Sequence, residues 1–312
     1  MLEIFLAIAP IFLLILLGYG LRRGGFPGGD FWEMNDKFVY WLLFPALLFF
    51  KTSTIDLTGE LVRAFAVVIY SGFFCSVGFA LVMTRLLGLP GPAASSVMQG
   101  AARHNSFVAL AVAERLYGGE GLALAALIAA LLIPMTNITV VTLMVTLVKG
   151  GGGRAMVPAI LRDLARNPLL IAVAAGILVN LSGLGPVPVL HDLFGILGAA
   201  ALPVMLLGVG ANLRVRTMAA AGLPTLISGV GKMLIFPLII LLAASLMGLT
   251  GLPLLVALVF GAVPTAASGY TLARQMGGDA PLMAAIITLQ TAVAIATLPL
   301  TLTLATRFLP GL

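Results

Sequence analysis

The sequence predicts an all-α integral membrane protein whose ten transmembrane helices form two inverted five-helix repeats. Three observations carry that expectation. Hydrophobic residues make up 61% of the chain and charged residues 9%, against roughly 45–50% and 25% in soluble domains. The apolar runs repeatedly approach the roughly 20 residues needed to cross a bilayer. Segments in the two halves also echo one another at a spacing near half the chain, the signature of internal duplication.

The spans are placed at 3–21, 34–50, 61–84, 92–116, 121–148, 168–183, 188–210, 218–247, 252–275 and 280–308. In the first, Glu3 rather than a base precedes the apolar run, and Arg22 and Arg23 follow it without a small-residue cleavage signal. It therefore reads as a retained helix and not a signal peptide. The second contains Pro45, and the third holds Cys75, the single cysteine, so one chain has neither a disulfide nor a thiolate zinc site. Pro92 introduces the fourth, the sixth is short, and the seventh carries Pro203. Lys232 lies inside the eighth and Pro264 inside the ninth.

Charge supports this order. With the N-terminus outside, eleven lysines and arginines, among them Arg22, Arg23, Lys37, Arg214, Arg216 and Arg274, fall on the cytoplasmic side. Lys51, Arg63, Arg115 and Arg307 fall on the other. That bias follows the positive-inside rule and puts both termini outside a multi-pass cell-membrane protein. It also explains the net charge of +6 without nucleic acid, because the bases sit at the ends of apolar runs.

Gly150 to Gly153 open the one long polar connection, and the basic, partly amphipathic "RAMVPAILRDLARNP" after them suits a flexible linker or a short helix on the membrane surface. This divides the chain into a first repeat, 1–148, a linker, 149–167, and a second repeat, 168–312. "LLFPALLFF" resembles "AALPVMLLG", with Pro45 and Pro203 separated by 158 residues. "AERLYGGEGLALAALIAALL" resembles "ARQMGGDAPLMAAIITLQ", with Gly118 and Gly277 separated by 159. An odd number of spans per repeat inverts the second copy, a plan common among secondary transporters.

Polar interruptions mark the fourth and ninth segments. "MQGAARHNS" puts Arg103, His104, Asn105 and Ser106 in an otherwise apolar helix, and "FGAVPTAASGYTLARQMGG" brackets Pro264 with Gly261 and Gly269. Proline removes a backbone donor and clashes with the preceding turn, so both helices are expected to break there. Irregular backbone survives at membrane depth only where protein or a water-filled cavity satisfies it. The new half-helices, starting near Asn105 and Thr265, would offer free amides and a positive dipole end to an anion. Arg103 adds a permanent charge that needs a partner at such depth, unless it snorkels to an interface. His104 is a proton relay or a plain hydrogen-bonding histidine.

Asn105, Ser106, Thr265, Ser268 and Tyr270 can line a substrate or cap helix ends. Lys232 is a second anion contact, a charge that moves in transport, or a structural donor to nearby carbonyls. Asn137, with Thr136, Gln290 and Thr291, is first an interhelical polar contact and second a site residue. No nucleotide-binding loop, zinc-hydrolase motif or nucleophile elbow occurs, and His104 and His191 lie far apart in the chain. An enzyme and a cofactor are therefore not expected.

These segments carry a family resemblance. "IAPIFLLILLGYGLRRGGF", "NDKFVYWLLFPALLFFKTS", "RHNSFVALAVAERLYG", "LPVMLLGVGANL" and "VPTAASGYTLARQMGGDAPLMAAIITLQT" together resemble the auxin efflux carrier family of permeases, across essentially the whole chain. The resemblance implies a scaffold domain, a transport domain with two crossing broken helices, and organic-anion substrates such as malonate, malate or indole-3-acetate. It matches Asn105 and Pro264 to the family's fourth-helix asparagine and ninth-helix proline. Ala109 and Ala111 stand where glycine and proline are more usual. It also implies a homodimer. The expected function is alternating-access movement of a small organic anion, driven by membrane potential or a proton. The alternatives are a sodium-coupled importer on the same fold and a channel or non-transporting sensor.

Overall fold

The computed structural model describes residues 1–55, 59–149, 162, 165–220 and 222–308. Its elements are helical throughout: α1 (Leu2–Arg23), α2 (Gly29–Phe38), α3 (Phe44–Thr54), α4 (Gly59–Leu86), α5 (Gly91–Ala102), α6 (Ser106–Lys149) and α7 (Pro168–Leu181). There follow α8 (Leu190–Ala211), α9 (Leu223–Val230), α10 (Phe236–Met247), α11 (Gly251–Ala262), α12 (Ser268–Met276) and α13 (Ala280–Phe308). Wide π-helical turns at Val39–Leu43 and Gly231–Ile235 link α2 to α3 and α9 to α10. The first such turn precedes Pro45 and the second precedes Pro237, prolines that remove a donor from the regular ladder.

The expected ten crossings are not present. Among the described residues six helices are long and apolar enough to cross a membrane: Leu2–Arg23, Gly59–Leu86, the interrupted run Gly91–Val148, Leu190–Ala211, Leu223–Met247 and Ala280–Arg307. Hydropathy windows count apolar residues, whereas a span needs continuous helix. The predicted 34–50 lies on α2, a π turn and α3, a continuous helical run in which Glu33, Asp36, Lys37 and Lys51 leave no membrane-length apolar stretch. The predicted 168–183 is a 14-residue helix, and 252–275 splits into helices of 12 and nine residues. The predicted 92–116 and 121–148 run together through a bend at Gly118. The charge asymmetry that placed both termini outside was counted over ten crossings and does not carry over to six.

A clear two-by-five inverted repeat is likewise absent, for a local reason. Pro45 opens a short helix while Pro203 lies inside the continuous α8. Gly118 bends a continuous run at φ 66° and ψ −154°, whereas Gly277 ends α12 in the left-handed region. Similar letters therefore do different structural work. The surface helix expected in 149–167 lies largely outside the described residues.

Small residues decide how closely the helices approach, since lipid gives packing no hydrophobic advantage over tails. α1 lies along α8, α3 along α7 and α8, and α4 along α10. A Cβ at Gly210 would run into the Ile15 carbonyl, and one at Gly18 would strike the Leu207 carbonyl. α1 and α8 thus touch backbone to backbone. Elsewhere large side chains fill the interior, with Phe44, Phe65, Phe73, Phe236 and Phe260 fully enclosed.

Gly210→Ala should cost about 1–3 kcal/mol through overpacking against backbone that cannot yield. Gly20→Ala, whose Cβ meets open space, should leave stability unchanged or slightly raised. Apparent unfolding temperatures of the two variants in one detergent check this contrast.

Candidate anion site

Both interrupted helices end alike. α5 stops at Ala102, with Arg103 extended at φ −68° and ψ 150°, and α11 stops at Ala262, with Val263 at φ −68° and ψ 153°. The interruptions meet: the Asn105 amide donates to the Pro264 carbonyl at 2.8 Å. Asn105 Oδ1 accepts from the amides of Phe107 (3.1 Å) and Val108 (3.2 Å), capping α6. Ser106 is the first residue of that helix and is buried.

Gln290, on α13, joins the two breaks. Its Oε1 accepts from the Thr265 amide at 3.0 Å, while its Nε2 donates to the Gly100 carbonyl (3.0 Å) and to Ser228 Oγ (3.1 Å). The Thr265 amide is thereby occupied, and α12 begins only at Ser268, three residues later than the sequence suggested. The Ser76 hydroxyl lies 2.9 Å from the Ala101 carbonyl and 2.6 Å from that of Gly231, tying α4 to the same place.

In extended backbone successive side chains point to opposite sides, and this separates Arg103 from His104. Arg103 turns into a cavity of about 960 Å³, a size typical of small-molecule sites. Its Nη2 donates to Asn137 Oδ1 (3.2 Å) and Ser268 Oγ (3.3 Å). Its Nη1 is buried and has no partner among the described residues. His104 turns away, its ring 5.7 Å from that of Phe260 and its Nδ1 buried without a partner among the described residues.

Lys232 also stands behind the breaks and is fully buried. Its Nζ donates to the carbonyls of Phe260 (2.8 Å) and Gly261 (3.2 Å) and sits 4.0 Å from the Phe236 ring centre. The ammonium closes the negative end of α11, so Lys232 belongs with the structural donors and does not line the cavity.

The structure therefore sorts the candidate residues. Arg103, Asn137, Ser268 and Tyr270 line the cavity together. Asn105, Ser106, Pro264 and Thr265 form its supporting breaks, while His104 and Lys232 pack behind. Tyr40, Trp41, Phe107 and Arg214 also line it and were not singled out from sequence. Arg214 was visible only as one of many bases following an apolar run.

Toward the mouth, several charges are already paired. Lys37 meets Glu33 at 2.8 Å, and the lysine holds the Glu33 carboxyl below the usual carboxylate range. Arg22 donates to the Ala211 carbonyl (3.0 Å) and Asn212 Oδ1 (3.1 Å), and Asn212 Nδ2 donates to Asp36 (3.1 Å). Arg103 and Arg214 have no acidic partner among the described residues.

A family model for membrane transport proteins matches residues 3–302. The chain belongs to that family. It is similar to a protein named "Uncharacterized transporter" from Methanothermobacter thermautotrophicus, with 27% identity over 94% of this chain and 95% of the relative. It is also similar to a "Putative malonate transporter" from Rhizobium meliloti, with 29% identity over 95% of this chain and 94% of the relative. Membership makes the chain a multi-pass membrane transporter and not an enzyme. Among the described residues no cluster of histidine, cysteine or carboxylate side chains could hold a metal ion.

Gln290→Leu should strand the Gly100 carbonyl and the Thr265 amide, at about 1–3 kcal/mol for each orphaned group. Ser71→Ala, which removes only a hydroxyl bonded to its own helix at Val67, should change little. Thermal stability of the two variants in detergent distinguishes them, and equal losses would contradict the bridging role of Gln290.

Proposed function

We propose that the protein is a carrier for a small organic anion, a carboxylate bound at the cavity floor beside Arg103 and moved by alternating access. The observation that carries this reading is the half-buried Arg103 guanidinium, which faces the cavity without an acidic partner at the junction of two broken helices. A guanidinium presents paired donors that suit a carboxylate, and its charge in the membrane interior is costly until an anion accompanies it. Asn137 and Ser268, already bonded to Arg103, hold it in place and are polar neighbours for the ligand.

The packing behind the breaks supports a carrier more than an open channel. His104, Lys232 and Phe260 are buried directly beyond the cavity floor, so release to the other side requires a change of conformation. The basic mouth faces the cytoplasm in this reading, in keeping with the positive-inside rule. Outward movement of one negative charge then releases roughly 2.3 kcal/mol per 100 mV of inside-negative potential. Sodium coupling is disfavoured because the Phe260 and Gly261 carbonyls, oxygens of the kind that hold sodium at broken helices, already accept from Lys232. Malonate enters as the first substrate to test because one relative bears that name.

Counterflow of radiolabelled malonate, malate, pyruvate and indole-3-acetate into proteoliposomes checks the reading. Saturable exchange of at least one anion is expected without sodium, falling at least tenfold in Arg103→Gln, the scale of one lost charged hydrogen bond. Arg115→Gln, whose guanidinium meets the Ala7 carbonyl far from the cavity, should behave as wild type. Exchange that is intact in Arg103→Gln would overturn the site.

A further inference from the structure

Two carbonyls at the end of α11 are denied their ordinary partners by the sequence itself. In a continuing helix the Phe260 carbonyl would accept from residue 264, but that residue is Pro264 and has no amide hydrogen. The Gly261 carbonyl would accept from the Thr265 amide, which is given instead to Gln290 Oε1 at 3.0 Å. Lys232 Nζ meets both oxygens, at 2.8 Å and 3.2 Å, and packs 4.0 Å from the centre of the Phe236 ring. The lysine is fully buried and has no carboxylate partner among the described residues. Its contacts are therefore carbonyl oxygens and an aromatic face, groups that hold a free monovalent cation away from water.

We propose that this is a monovalent-cation cradle whose resident ion is the tethered Lys232 ammonium, and that the carrier therefore needs no free cation there. This rests on the carrier reading above and adds a cation requirement that the chain meets internally. A neutral donor could satisfy a carbonyl, but the last turn of a helix also presents a negative field, which a charge answers. The wide turn Gly231–Ile235 sets the lysine in place: Ser76 donates to the Gly231 carbonyl at 2.6 Å, and a Cβ on Gly231 would come within 2.8 Å of the Ala101 Cβ. Lys232 is thereby held against the end of α5 as well as that of α11. Its effect on the anion is indirect. α11 ends two residues before Pro264, whose carbonyl accepts from the Asn105 amide close to Arg103 in the chain. The cation steadies the break and the break positions Arg103, which makes Lys232 a positioning residue.

The test vacates the cradle. Lys232→Ala removes the ammonium and leaves room for a small cation, while Lys232→Met removes the charge and refills the space with an apolar chain. Anion counterflow is measured in proteoliposomes with N-methylglucamine, sodium, potassium, ammonium or methylammonium chloride on both sides. Wild type should be indifferent to the cation. Lys232→Ala should fall at least about tenfold in N-methylglucamine, the scale of one lost charged hydrogen bond, and return to within about threefold of wild type in ammonium or methylammonium. Lys232→Met should fall alike and stay low in every salt. A second readout needs no transport. In detergent, ammonium should raise the apparent unfolding temperature of Lys232→Ala above its value in N-methylglucamine, by mass action on a cation that binds only the folded chain. It should not do so in wild type or in Lys232→Met.

Undiminished exchange by Lys232→Ala in N-methylglucamine, or a loss that no cation reverses, would overturn the cradle and leave Lys232 a structural donor only. Failure of that variant to fold even when purified in ammonium counts as such a loss. Equal rescue of Lys232→Met would reveal a general salt effect, and a wild type that required one of these cations would contradict the tethered ion; either result overturns the inference. Absence of any Arg103-dependent exchange in wild type would instead defeat the carrier reading, and the unfolding temperatures would still decide the cradle.

Discussion

Everything at the centre of this molecule depends on satisfying backbone that is not helical at membrane depth. An amide or carbonyl left bare in hydrocarbon costs several kcal/mol, and two interruptions expose many such groups together. The solution is reciprocal. The Asn105 amide meets the Pro264 carbonyl, Gln290 spans the Thr265 amide and the Gly100 carbonyl, and Lys232 closes the end of α11. Each of these contacts is made within the protein itself. They hold the extended segment in which Arg103 and His104 must point opposite ways, and that division creates a cavity on one side and dense packing on the other.

Charge is sorted along the same axis. Lys37 is paired with Glu33, Arg22 is linked to Asp36 through Asn212, and Arg23 bonds the Tyr19 hydroxyl. The half-buried Arg103 rests on neutral oxygens, and the exposed Arg214 rests on an aromatic face. Neutral partners position a guanidinium without cancelling its charge, which leaves its field for an incoming anion. Gln99, His104 and Thr265 each carry a buried polar atom without a partner among the described residues. Such unmade bonds are expensive, and Trp32, Asn35, Thr136 and Thr225 carry others away from the breaks.

The chemistry was more legible in the sequence than the architecture. Proline and the "RHNS" cluster announced both breaks because polar residues and missing donors are local properties. The crossing count failed because hydropathy does not record where a helix stops: the segment 252–275 is apolar enough to count, yet its helix ends at Ala262 and resumes only at Ser268. Internal symmetry misled for a similar reason, since Gly118 and Gly277 share neighbours but adopt different backbone conformations. Arg214 was invisible as a site residue. Its contact is with Tyr270, 56 positions later, and a base beside an apolar run ordinarily means topology alone.

The most direct test of the central claim, that an anion occupies the cavity floor where the breaks meet, is accessibility at Ser268. In a Cys75→Ser background, Ser268→Cys should react with a soluble maleimide, and malonate or whichever anion proves to exchange should slow the reaction. Protection should reach half its maximum near the concentration that half-saturates exchange, while Ser182→Cys, exposed and remote from the cavity, should show none. Labelling of Ser268→Cys that stays equally fast under saturating anion would place the substrate elsewhere and contradict the account.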